Sequence, residues 1–360
     1  MRKPPKNMKK VAVIGTQGIP ACYGGFESLA QCLTEDNEGV EYTVFCSSKD
    51  MPKKLSEYNG AKLKYIPLSA NGFQSIPYDI CSLCCALTGY DSILILGVSG
   101  AIFLPIFRLI SSSRVVVNID GLEHRRDKWG TAAKLFLRFS ERLAVYNADC
   151  VVADNKGIAD YVISQYGITP KTIAYGGDHA IRCITKDKRD KVLDNYGVSY
   201  KVFSLSICRI EPENNCHITL KAAAESGERL LFIGNWDRSD YGRTLKAQYS
   251  AYSNITIADP VYELDTLYAL RSSAARYIHG HSAGGTNPSL VEAMFFGCQI
   301  LAYDVVYNRE TTANLAQYFT NSTSLAALLA AEPKAMPEIV DYAKNHYTWE
   351  HIRTLYKSLF

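Results

Sequence analysis

The stretch from His279 to Met294 combines a flexible loop and a helix start in an order that is suited to binding an anion. The loop contributes small residues whose backbone N–H groups can be approached closely, Gly284, Gly285 and Thr286. Asn287 suits the cap position and Pro288 the first position of the helix that follows. Free N–H groups and the positive end of a helix dipole attract negative charge at such a turn. An ordinary capped turn has the same pattern, so both interpretations stay open.

Glu292 is the residue of this stretch that an ordinary turn does not explain. It lies among the apolar residues of the expected helix, which are Leu290, Val291, Ala293 and Met294. A carboxylate that is buried in such a helix needs a partner, because an isolated charge is costly to remove from water. The sequence therefore predicts that Glu292 binds a polar group.

A dense polar cluster begins at Asp120, directly after the apolar run Val115–Ile119. Polar groups at the carboxyl end of a strand are where an α/β protein places its chemistry. Two acids of this cluster are candidates for a general base, Asp120 and Glu123. Three basic residues are candidates for binding an anionic acceptor, His124, Arg125 and Arg126. A solvated charged loop is the alternative interpretation.

Glycines near the start of the chain form another candidate phosphate loop. Gly24 and Gly25 precede a helical pattern that starts at Phe26, and Glu27 follows in its first turn. Two adjacent glycines let the backbone approach a phosphate or a sugar closely, although a tight turn explains them equally well. The loop lacks the G-x-G-x-x-G pattern, so the sequence does not favour a nicotinamide dinucleotide site.

Arg209 is the candidate phosphate ligand of the second half of the chain. It follows the expected strand Val202–Ile207, and its guanidinium offers a fixed fork of donors that matches phosphate oxygens. Glu211 and Glu213 lie nearby, so a structural salt bridge is the alternative. Trp236 follows the next expected strand and is either a packing residue or a residue that stacks on a base, of which packing is the commoner role.

The composition is that of a globular protein long enough for two domains. The chain has 360 residues, of which 47% are hydrophobic and 21% charged, and its net charge of +3 is too small to indicate nucleic-acid binding. The cysteines lack metal-ligand spacing, since Cys81 and Cys84 have no second pair or histidine partner. Reduced thiols in a cytosolic protein are therefore expected. No signal peptide is expected, and no apolar run reaches the ~20 residues of a membrane span.

Apolar runs alternate with helical patterns along the whole chain. The expected strands of the first half are 10–14, 42–46, 62–66, 92–96, 114–119 and 150–153. Those of the second half are 202–207, 229–233, 255–257, 276–279 and 299–302. This alternation is typical of parallel sheets that are covered on both faces. The sequence thus predicts an α/β protein with two doubly wound domains that share a site in the cleft between them.

The expected domain join lies in the polar segment Gly176–Asp190, which gives one domain over residues 1–180 and a second over 181–340. A helix-like tail runs from Met336 to Phe360. Within the first domain, Lys134, Arg138 and Arg142 form a basic stripe on one helix face. The opposite face is expected to carry Leu135, Phe139 and Leu143. The stripe is either a solvated face or a contact with anionic lipid headgroups.

The chain resembles the family 4 glycosyltransferases of the two-domain GT-B type. It is similar in particular to the bacterial polysaccharide rhamnosyltransferases that open with Val-Ile-Gly-Thr-Gln-Gly-Ile-Pro and Tyr-Gly-Gly-Phe-Glu. The segments that carry the resemblance are Val13–Glu27, Asp120–Arg126, Ala153–Tyr161, Tyr175–Asp178, Arg209–Asn215, Gly234–Trp236 and His279–Met294.

The resemblance implies a role for each domain. Residues 1–180 would be a Rossmann-like acceptor domain, and residues 181–340 a Rossmann-like domain that binds the nucleotide-sugar donor. Residues 341–360 would form a crossover helix that packs back on the first domain. Arg209 and the backbone of residues 284–286 would neutralise the diphosphate, and Glu292 would hydrogen-bond the ribose.

The sequence departs from the family pattern at two positions. Gly284 stands eight residues before Glu292, where the wider family has its first Glu. The lysine that accompanies the diphosphate arginine is missing, and Asn214 and Asn215 occupy that region. His281 is the nearest polar side chain that would substitute for the missing acid. Lys221 would take over part of the lysine's role if it folds nearby.

The resemblance leads us to expect a retaining, metal-independent glycosyltransferase without a cofactor. Arg209 would stabilise the departing diphosphate, while Asp120 or His124 would position the acceptor. The expected donor is dTDP-L-rhamnose, and the expected acceptor is a lipid-diphosphate-linked saccharide at the inner face of the cytoplasmic membrane. A non-catalytic nucleotide-sugar-binding or regulatory subunit is the alternative. An NAD-dependent epimerase is a third hypothesis, but the sequence has no convincing form of its two motifs, a G-x-x-G-x-x-G loop and a Tyr-x-x-x-Lys pair after the first domain.

Overall fold

The structure is a computed structural model that describes residues 8–21, 24–119, 121–125 and 130–360, with only the backbone described at Arg125. The chain divides into two compact units. Unit 1 consists of residues 1–174 and 349–360, and unit 2 consists of residues 175–348.

Unit 1 is built on an eight-stranded sheet. Its strands are β1 (Lys9–Ile14), β2 (Val40–Ser47), β3 (Glu57–Tyr58), β4 (Ala61–Ile66), β5 (Ser92–Leu96), β6 (Arg114–Asn118), β7 (Cys150–Ala153) and β8 (Lys171–Thr172). They lie in the order β3-β4-β2-β1-β5-β6-β7-β8, and all neighbours are parallel except β3 and β4. The connecting helices are α1 (Gly25–Thr34), α2 (Ser75–Cys85), α3 (Leu104–Ile110), α4 (Thr131–Asn147) and α5 (Lys156–Tyr166).

Unit 2 is built on a six-stranded sheet in which every neighbouring pair is parallel. Its strands are β9 (Ser204–Ile207), β10 (Leu230–Ile233), β11 (Ile255–Ala258), β12 (Arg276–His279), β13 (Gln299–Tyr303) and β14 (Gln317–Phe319), in the order β11-β10-β9-β12-β13-β14. Its helices are α6 (Lys186–Asn195), α7 (Cys216–Ser226), α8 (Asp240–Tyr249), α9 (Leu264–Ser273), α10 (Pro288–Met294), α11 (Val306–Thr311), α12 (Ser322–Leu329) and α13 (Pro337–His346). The last helix, α14 (Trp349–Lys357), belongs to unit 1.

The central strands of both sheets are apolar along most of their length. Val11 to Ile14 of β1 and Leu230 to Phe232 of β10 have no exposed surface. Such continuous apolar runs are required where helices cover both faces of a parallel sheet. The predicted α/β class with two doubly wound parallel sheets is thereby confirmed.

The chain passes from unit 1 to unit 2 between Ala174 and Tyr175, just before the polar segment that the sequence indicated. The tail that was expected to continue as a helix from Met336 is broken into two helices, α13 in unit 2 and α14 in unit 1. Tyr347 ends α13, and its buried hydroxyl donates to the backbone carbonyl of Thr311 over 2.9 Å. This contact holds the end of α13 in unit 2.

The side chains of α4 face differently from the sequence-based expectation. Leu135 and Phe139 were expected opposite the basic stripe, yet they are 65% and 53% exposed beside Arg138 and Arg142. The buried face carries two polar residues, Ser140 and Glu141, beside the apolar Leu137, Ala144 and Val145. Their polar atoms are satisfied by hydrogen bonds inside unit 1, so the apolar periodicity of the sequence pointed to the wrong face.

The helix α14 is anchored in unit 1 by a buried hydrogen bond. Asn118 Nδ2, at the end of β6, donates to the hydroxyl of Tyr356 over 2.8 Å. Ile352 lies one turn earlier on the same buried face. At the rim, Arg353 Nη1 donates to the carbonyl of Cys32 over 3.1 Å. The final helix therefore connects the end of the chain to the centre of the first sheet.

Tyr356→Phe tests this anchor. The variant removes one buried acceptor without removing the ring, so we expect the free energy of unfolding to fall by about 1–2 kcal/mol in urea denaturation. Tyr262→Phe is the matched control, because Tyr262 is 80% exposed and its hydroxyl is solvated. Equal unfolding midpoints for the wild-type and Tyr356→Phe proteins would show that the hydrogen bond does not stabilise unit 1.

Candidate functional site

The candidate site of unit 2 lies where the winding of the sheet reverses. The strands β9 and β12 are neighbours, but the chain continues from β9 toward β10 and from β12 toward β13. The loops that leave two such strands diverge, and a ligand crevice opens outside their carboxyl ends. Arg209 follows β9, and the glycine loop follows β12. The topology therefore brings these two predicted groups to the same edge of one sheet.

Two asparagines hold the loops after β9 and β12 together. Asn214 Nδ2 donates to the carbonyl of Arg209 over 2.7 Å, while its Oδ1 accepts from His281 Nδ1 over 2.7 Å. Asn215 Nδ2 donates to the carbonyl of Gly280 over 2.9 Å. A Cβ atom at Gly280 would lie 2.3 Å from the carbonyl oxygen of Asn214, so only glycine allows this approach. Asn214 and Asn215 thus fix the two loops against each other.

Arg209 keeps most of its donors available. Its side chain is 40% exposed, and its Nη1 lies 3.9 Å from Glu211 Oε1, which is too long for a hydrogen bond. The loop below it is fixed by Asn235 Oδ1, which accepts from the backbone N–H of Ile210 over 2.8 Å. Trp236 packs edge-on against Phe232 in the core, the commoner of its two expected roles. The backbone of the arginine is therefore held while its guanidinium reaches solvent.

The glycine loop adopts a backbone that suits few other residues. Gly284 and Gly285 have φ angles of 54° and 36°, in the left-handed region. Asn287 caps α10 as predicted, because its Oδ1 accepts from the backbone N–H of Ser289 over 3.0 Å. Pro288 is the first residue of α10. Thr286 is buried. The role of these residues in donor binding remains a prediction.

Glu292 has partners within the protein. Its Oε2 is paired with the guanidinium of Arg271, and its Oε1 lies 3.2 Å from His179 Nε2. Burial by itself would raise the pKa of Glu292, but the charges and hydrogen bonds of Arg271 and His179 together outweigh it, and the pKa lies below the usual value. The sequence assigned a ribose as the partner of this carboxylate. The structure shows that a buried arginine and a histidine already contact it, because the turn Asp178–Ala180 packs against both α9 and α10.

The contact of His179 with Glu292 depends on a glycine. A Cβ atom at Gly177 would lie 2.9 Å from Val291 Cγ1 and 3.0 Å from the backbone nitrogen of Glu292. The backbone at Gly177, near the start of unit 2, therefore packs closely against α10. The sequence could not pair His179 or Arg271 with Glu292, since both lie far from it along the chain.

Arg271→Met tests the ion pair through its pH dependence. The stabilisation from a carboxylate with a lowered pKa is present above its ordinary value of 4.5 and is lost as the pH falls through the folded value. At neutral pH we expect the variant to lose about 3–5 kcal/mol, because a buried charge is left without its cation. The loss should shrink as acid protonates Glu292, which can be measured by urea denaturation between neutral and acidic pH.

Two variants serve as controls for this experiment. Arg182→Met removes an arginine whose side chain is 47% exposed, and we expect little change. Arg271→Met combined with Glu292→Met removes both charges and should recover much of the stability. A loss in Arg271→Met that is independent of pH would contradict the ion pair.

The glycine loop of unit 1 is anchored by side chains of α1. Glu27 Oε1 accepts from the backbone N–H of Gln17 over 2.8 Å, and Gln31 Oε1 accepts from that of Ala21 over 2.7 Å. Glu27 is buried, whereas Gly24 is exposed and precedes Gly25, the first residue of α1. Glu27 therefore fixes the backbone of the predicted phosphate loop by a hydrogen bond from its buried side chain.

The polar cluster after β6 is only partly described. Asp120 and Arg126 lie outside the described residues, and so does the side chain of Arg125. Glu123 and His124 lie in a single 3₁₀ turn, Glu123–Arg125. The base and anion-binding roles that the sequence assigns to this cluster remain predictions.

His124 is held by a buried carboxylate that the sequence analysis missed. Glu141 Oε2 lies 3.0 Å from His124 Nδ1, and Glu141 Oε1 accepts from the hydroxyls of Tyr161 over 2.9 Å and Tyr166 over 2.7 Å. The carboxylate side chain is 1% exposed and that of His124 is 11% exposed. In the neutral ring, a donating Nδ1–H leaves Nε2 as the acceptor nitrogen. The cluster thus orients the ring in unit 1.

Glu141→Gln tests this cluster. The amide replaces one acceptor oxygen by a donor that faces hydroxyl or imidazole donors, so we expect the free energy of unfolding to fall by about 1–3 kcal/mol. Glu225→Gln, on the exposed side of α7, is the control and should behave like the wild type. If Glu141→Gln unfolded at the wild-type midpoint, the hydrogen bonds of His124, Tyr161 and Tyr166 to the carboxylate would not stabilise unit 1.

Sequence comparison gives one family match. The model of a domain of unknown function, DUF1972, matches residues 8–178, which corresponds to nearly all of unit 1 apart from α14. This is less than half of the chain. No curated protein matches the sequence.

Structural comparison identifies the fold. Sucrose-phosphate synthase from Thermosynechococcus elongatus matches with a TM-score of 0.79 and 16% identity, over 98% of this chain and 99% of that chain. HepE of Anabaena in complex with UDP matches with a TM-score of 0.72, 16% identity and the same coverage. The catalytic domain of starch synthase IV from Arabidopsis thaliana, bound to ADP and acarbose, has a TM-score of 0.71 and 11% identity over 98% and 99% of the two chains. The protein therefore has the GT-B fold that the sequence predicted.

No group of three or more His, Cys, Asp or Glu side chains in the described part of the chain is placed to hold a metal ion. None of the helices described is long and apolar enough to cross a membrane.

Proposed function

We propose that the protein is a glycosyltransferase that binds a nucleotide-sugar in unit 2 and an acceptor in unit 1. The observation that carries the proposal is the exposed guanidinium of Arg209 at the reversal point of the second sheet, on the same edge as the loop of Gly284 and Gly285. A guanidinium fork and backbone N–H groups are the ligands that a diphosphate prefers. Three structures with the same fold, those of sucrose-phosphate synthase, HepE and starch synthase IV, support this class of activity.

Glycosyl transfer needs stabilisation of the departing diphosphate. The acceptor hydroxyl oxygen forms a bond to the anomeric carbon, the bond from that carbon to the diphosphate breaks, and the hydroxyl proton passes to the leaving phosphate. Preorganised donors at the developing charge are worth about 10²–10³ in turnover each. Arg209 and the N–H groups of residues 284–286 supply such donors in the proposed mechanism, which retains the anomeric configuration and uses no metal ion.

Glu292 is proposed to accept a hydrogen bond from the donor's ribose. An ionised carboxylate has about four lone-pair sites, so the contacts with Arg271 and His179 leave capacity for a hydroxyl. The side chain is 15% exposed, which supports this role. Arg271 and His179 then act as positioning residues that keep the carboxylate ionised and oriented.

The donor sugar is proposed to be a 6-deoxy sugar, L-rhamnose carried on dTDP. Gly284 stands where the resemblance leads us to expect a carboxylate, so the pocket lacks a common sugar contact. The nearby His281 is held by Asn214 and offers an imidazole ring instead. The proposed acceptor is a lipid-diphosphate-linked saccharide of bacterial surface polysaccharide, positioned by Asp120 or His124. The protein would then work at the inner face of the cytoplasmic membrane, with Lys134, Arg138 and Arg142 toward the lipid.

A non-catalytic nucleotide-sugar-binding subunit is the second candidate function. It is favoured by the same two departures, Gly284 in place of an acid and Asn214 in place of a lysine. Such a subunit would bind the donor but would neither transfer nor hydrolyse the sugar. The two candidates therefore differ in turnover and not in binding.

Arg209→Ala tests the proposed function. We expect turnover to fall by at least about 100-fold, because a donor aimed at the leaving diphosphate is removed. Transfer is measured by mass spectrometry with purified protein, dTDP-rhamnose or UDP-sugars, and a lipid-diphosphate saccharide. Donor binding is measured separately by thermal shift, since a ligand of the native state raises its apparent stability.

Arg189→Ala is the matched control, because Arg189 pairs with Asp190 in α6, away from the loops of the site. It should retain wild-type turnover. Near-normal turnover in Arg209→Ala would overturn the assignment of the diphosphate site. A thermal shift in the wild type without transfer or hydrolysis would support the non-catalytic alternative, and no shift with any nucleotide-sugar would contradict both.

A further inference from the structure

The exposed apolar surface of the protein is concentrated in one part of unit 1. Half of the large hydrophobic side chains that are exposed among the described residues lie between Phe73 and Tyr146. Single exposed apolar residues need no explanation, but a contiguous group marks an interaction site. This segment contains α2, α3 and α4.

The three helices lie side by side on one face of the first sheet. They connect β4 to β5, β5 to β6 and β6 to β7, and each connection moves in the same direction along the strand order. Right-handed crossovers in one direction place their helices on the same face. The contacts agree, because α3 packs against α4, and the 3₁₀ turn Ala101–Phe103 packs against α2 and α4. We call the outer surface of these helices the helix face of unit 1.

The second helix of this face, α3, and the 3₁₀ turn Ala101–Phe103 before it carry an apolar stripe that points outward. Ile102, Ile106, Leu109 and Ile110 recur at helical spacing and are 36%, 51%, 87% and 60% exposed. The core side of the same helix is filled by Leu104 and Phe107. The outward stripe is therefore not needed for the packing of unit 1.

The neighbouring helices continue this surface. The outer side of α4 alternates Leu135, Phe139 and Tyr146 with Arg138 and Arg142. The guanidinium of Arg142 lies over the ring of Tyr146, 5.7 Å from its centroid. The outer side of α2 exposes three cysteines, Cys81, Cys84 and Cys85. Thiols act as small apolar groups here, and the single charged residue of α2, Asp79, is buried.

Charge identifies the partner of this face. Four charged side chains of α2, α3 and α4 are not buried, and all four are basic: Lys134, Arg138, Arg142 and Arg108, the last of which is paired with Asp149 after α4. The two acids of these helices, Asp79 and Glu141, are buried. A second copy of the same face would oppose cations to cations, which disfavours a symmetric dimer. Apolar side chains interleaved with exposed basic residues fit a layer of acyl chains beneath anionic headgroups.

We propose that the helix face of unit 1 docks onto an anionic lipid bilayer, with the apolar side chains of α3 and α4 inserted between the headgroups. The inference deepens the proposed function, since it specifies the surface that would place unit 1 beside a lipid-linked acceptor. It differs from an electrostatic contact of the basic stripe alone, because insertion depends on Leu109 and Ile110 as much as on Arg138 and Arg142.

Vesicle co-sedimentation of the full chain tests the proposal. Wild-type protein is expected to sediment with vesicles that contain phosphatidylglycerol and to bind phosphatidylcholine vesicles weakly. Leu109→Glu combined with Ile110→Glu should lower the partition coefficient on anionic vesicles at least about tenfold, and Arg138→Glu combined with Arg142→Glu should do the same. Val202→Glu combined with Tyr262→Glu is the matched control in unit 2, where the side chains are 65% and 80% exposed, and it should bind like the wild type.

Three outcomes would overturn the proposal. The first is a wild-type protein that does not sediment with anionic vesicles. The second is unchanged binding in the variants of Leu109 and Ile110, which would leave a purely electrostatic contact. The third is a dimer, detected by light scattering, that these substitutions dissociate while vesicle binding is absent or unchanged.

The readout is independent of sugar transfer. Variants of the helix face should retain thermal shifts with nucleotide-sugars and transfer to a water-soluble acceptor, because the substitutions lie on the outer surface of unit 1. Wild-type protein that binds vesicles but transfers no sugar would contradict the proposed function and leave the docking face intact. Wild-type protein that transfers sugar but does not bind vesicles would contradict the docking face and leave the proposed function intact.

Discussion

In a parallel sheet every strand ends at the same edge, and the chain must leave that edge through a loop before a helix carries it back. Unit 2 depends on this constraint at one point, where β9 and β12 are neighbours but their connections run in opposite directions. Arg209 and the loop of Gly284 and Gly285 come from these two strands. The two segments are far apart along the chain, and the strand order of the sheet brings them to the same edge.

Buried polar contacts then fix the loops that the topology brings together. Asn214 and Asn215 join the segment after β9 to the segment after β12, and Arg271 and His179 orient Glu292 at α10. Such groups contribute little net stability, because each must lose its water before it gains its partner. Their effect is on geometry. Arg209 keeps its guanidinium in solvent while its backbone is held, which is the arrangement that a preorganised anion site requires.

The sequence was informative where local chemistry determines local structure. The apolar run Val11–Ile14 predicted a buried strand, Asn287 and Pro288 predicted a helix start, and the position of Arg209 after a strand predicted its edge of the sheet. Contacts between distant residues left no local signal. The pairing of Glu292 with Arg271 and His179 is of this kind, and so is the binding of His124 by Glu141.

The helix α4 shows a second reason for failure. Apolar periodicity misassigns a buried face that includes polar residues. The helix α4 buries Ser140 and Glu141 together with Leu137, Ala144 and Val145, while it exposes Leu135 and Phe139. Burial of the polar residues is tolerated because Val98, His124, Tyr161 and Tyr166 satisfy them. The same inversion gives unit 1 an outer surface with both apolar and basic side chains. The basic stripe of Lys134, Arg138 and Arg142 is thereby part of the helix face of unit 1, which also carries apolar side chains.

The central claim is that the second sheet holds a diphosphate between Arg209 and the loop after β12. A crystal structure of the protein with UDP or dTDP tests this claim most directly. The account predicts phosphate oxygens within about 2.7–3.1 Å of the Arg209 guanidinium and of backbone nitrogens of residues 284–286. A diphosphate bound elsewhere, with Arg209 facing bulk solvent, would contradict it.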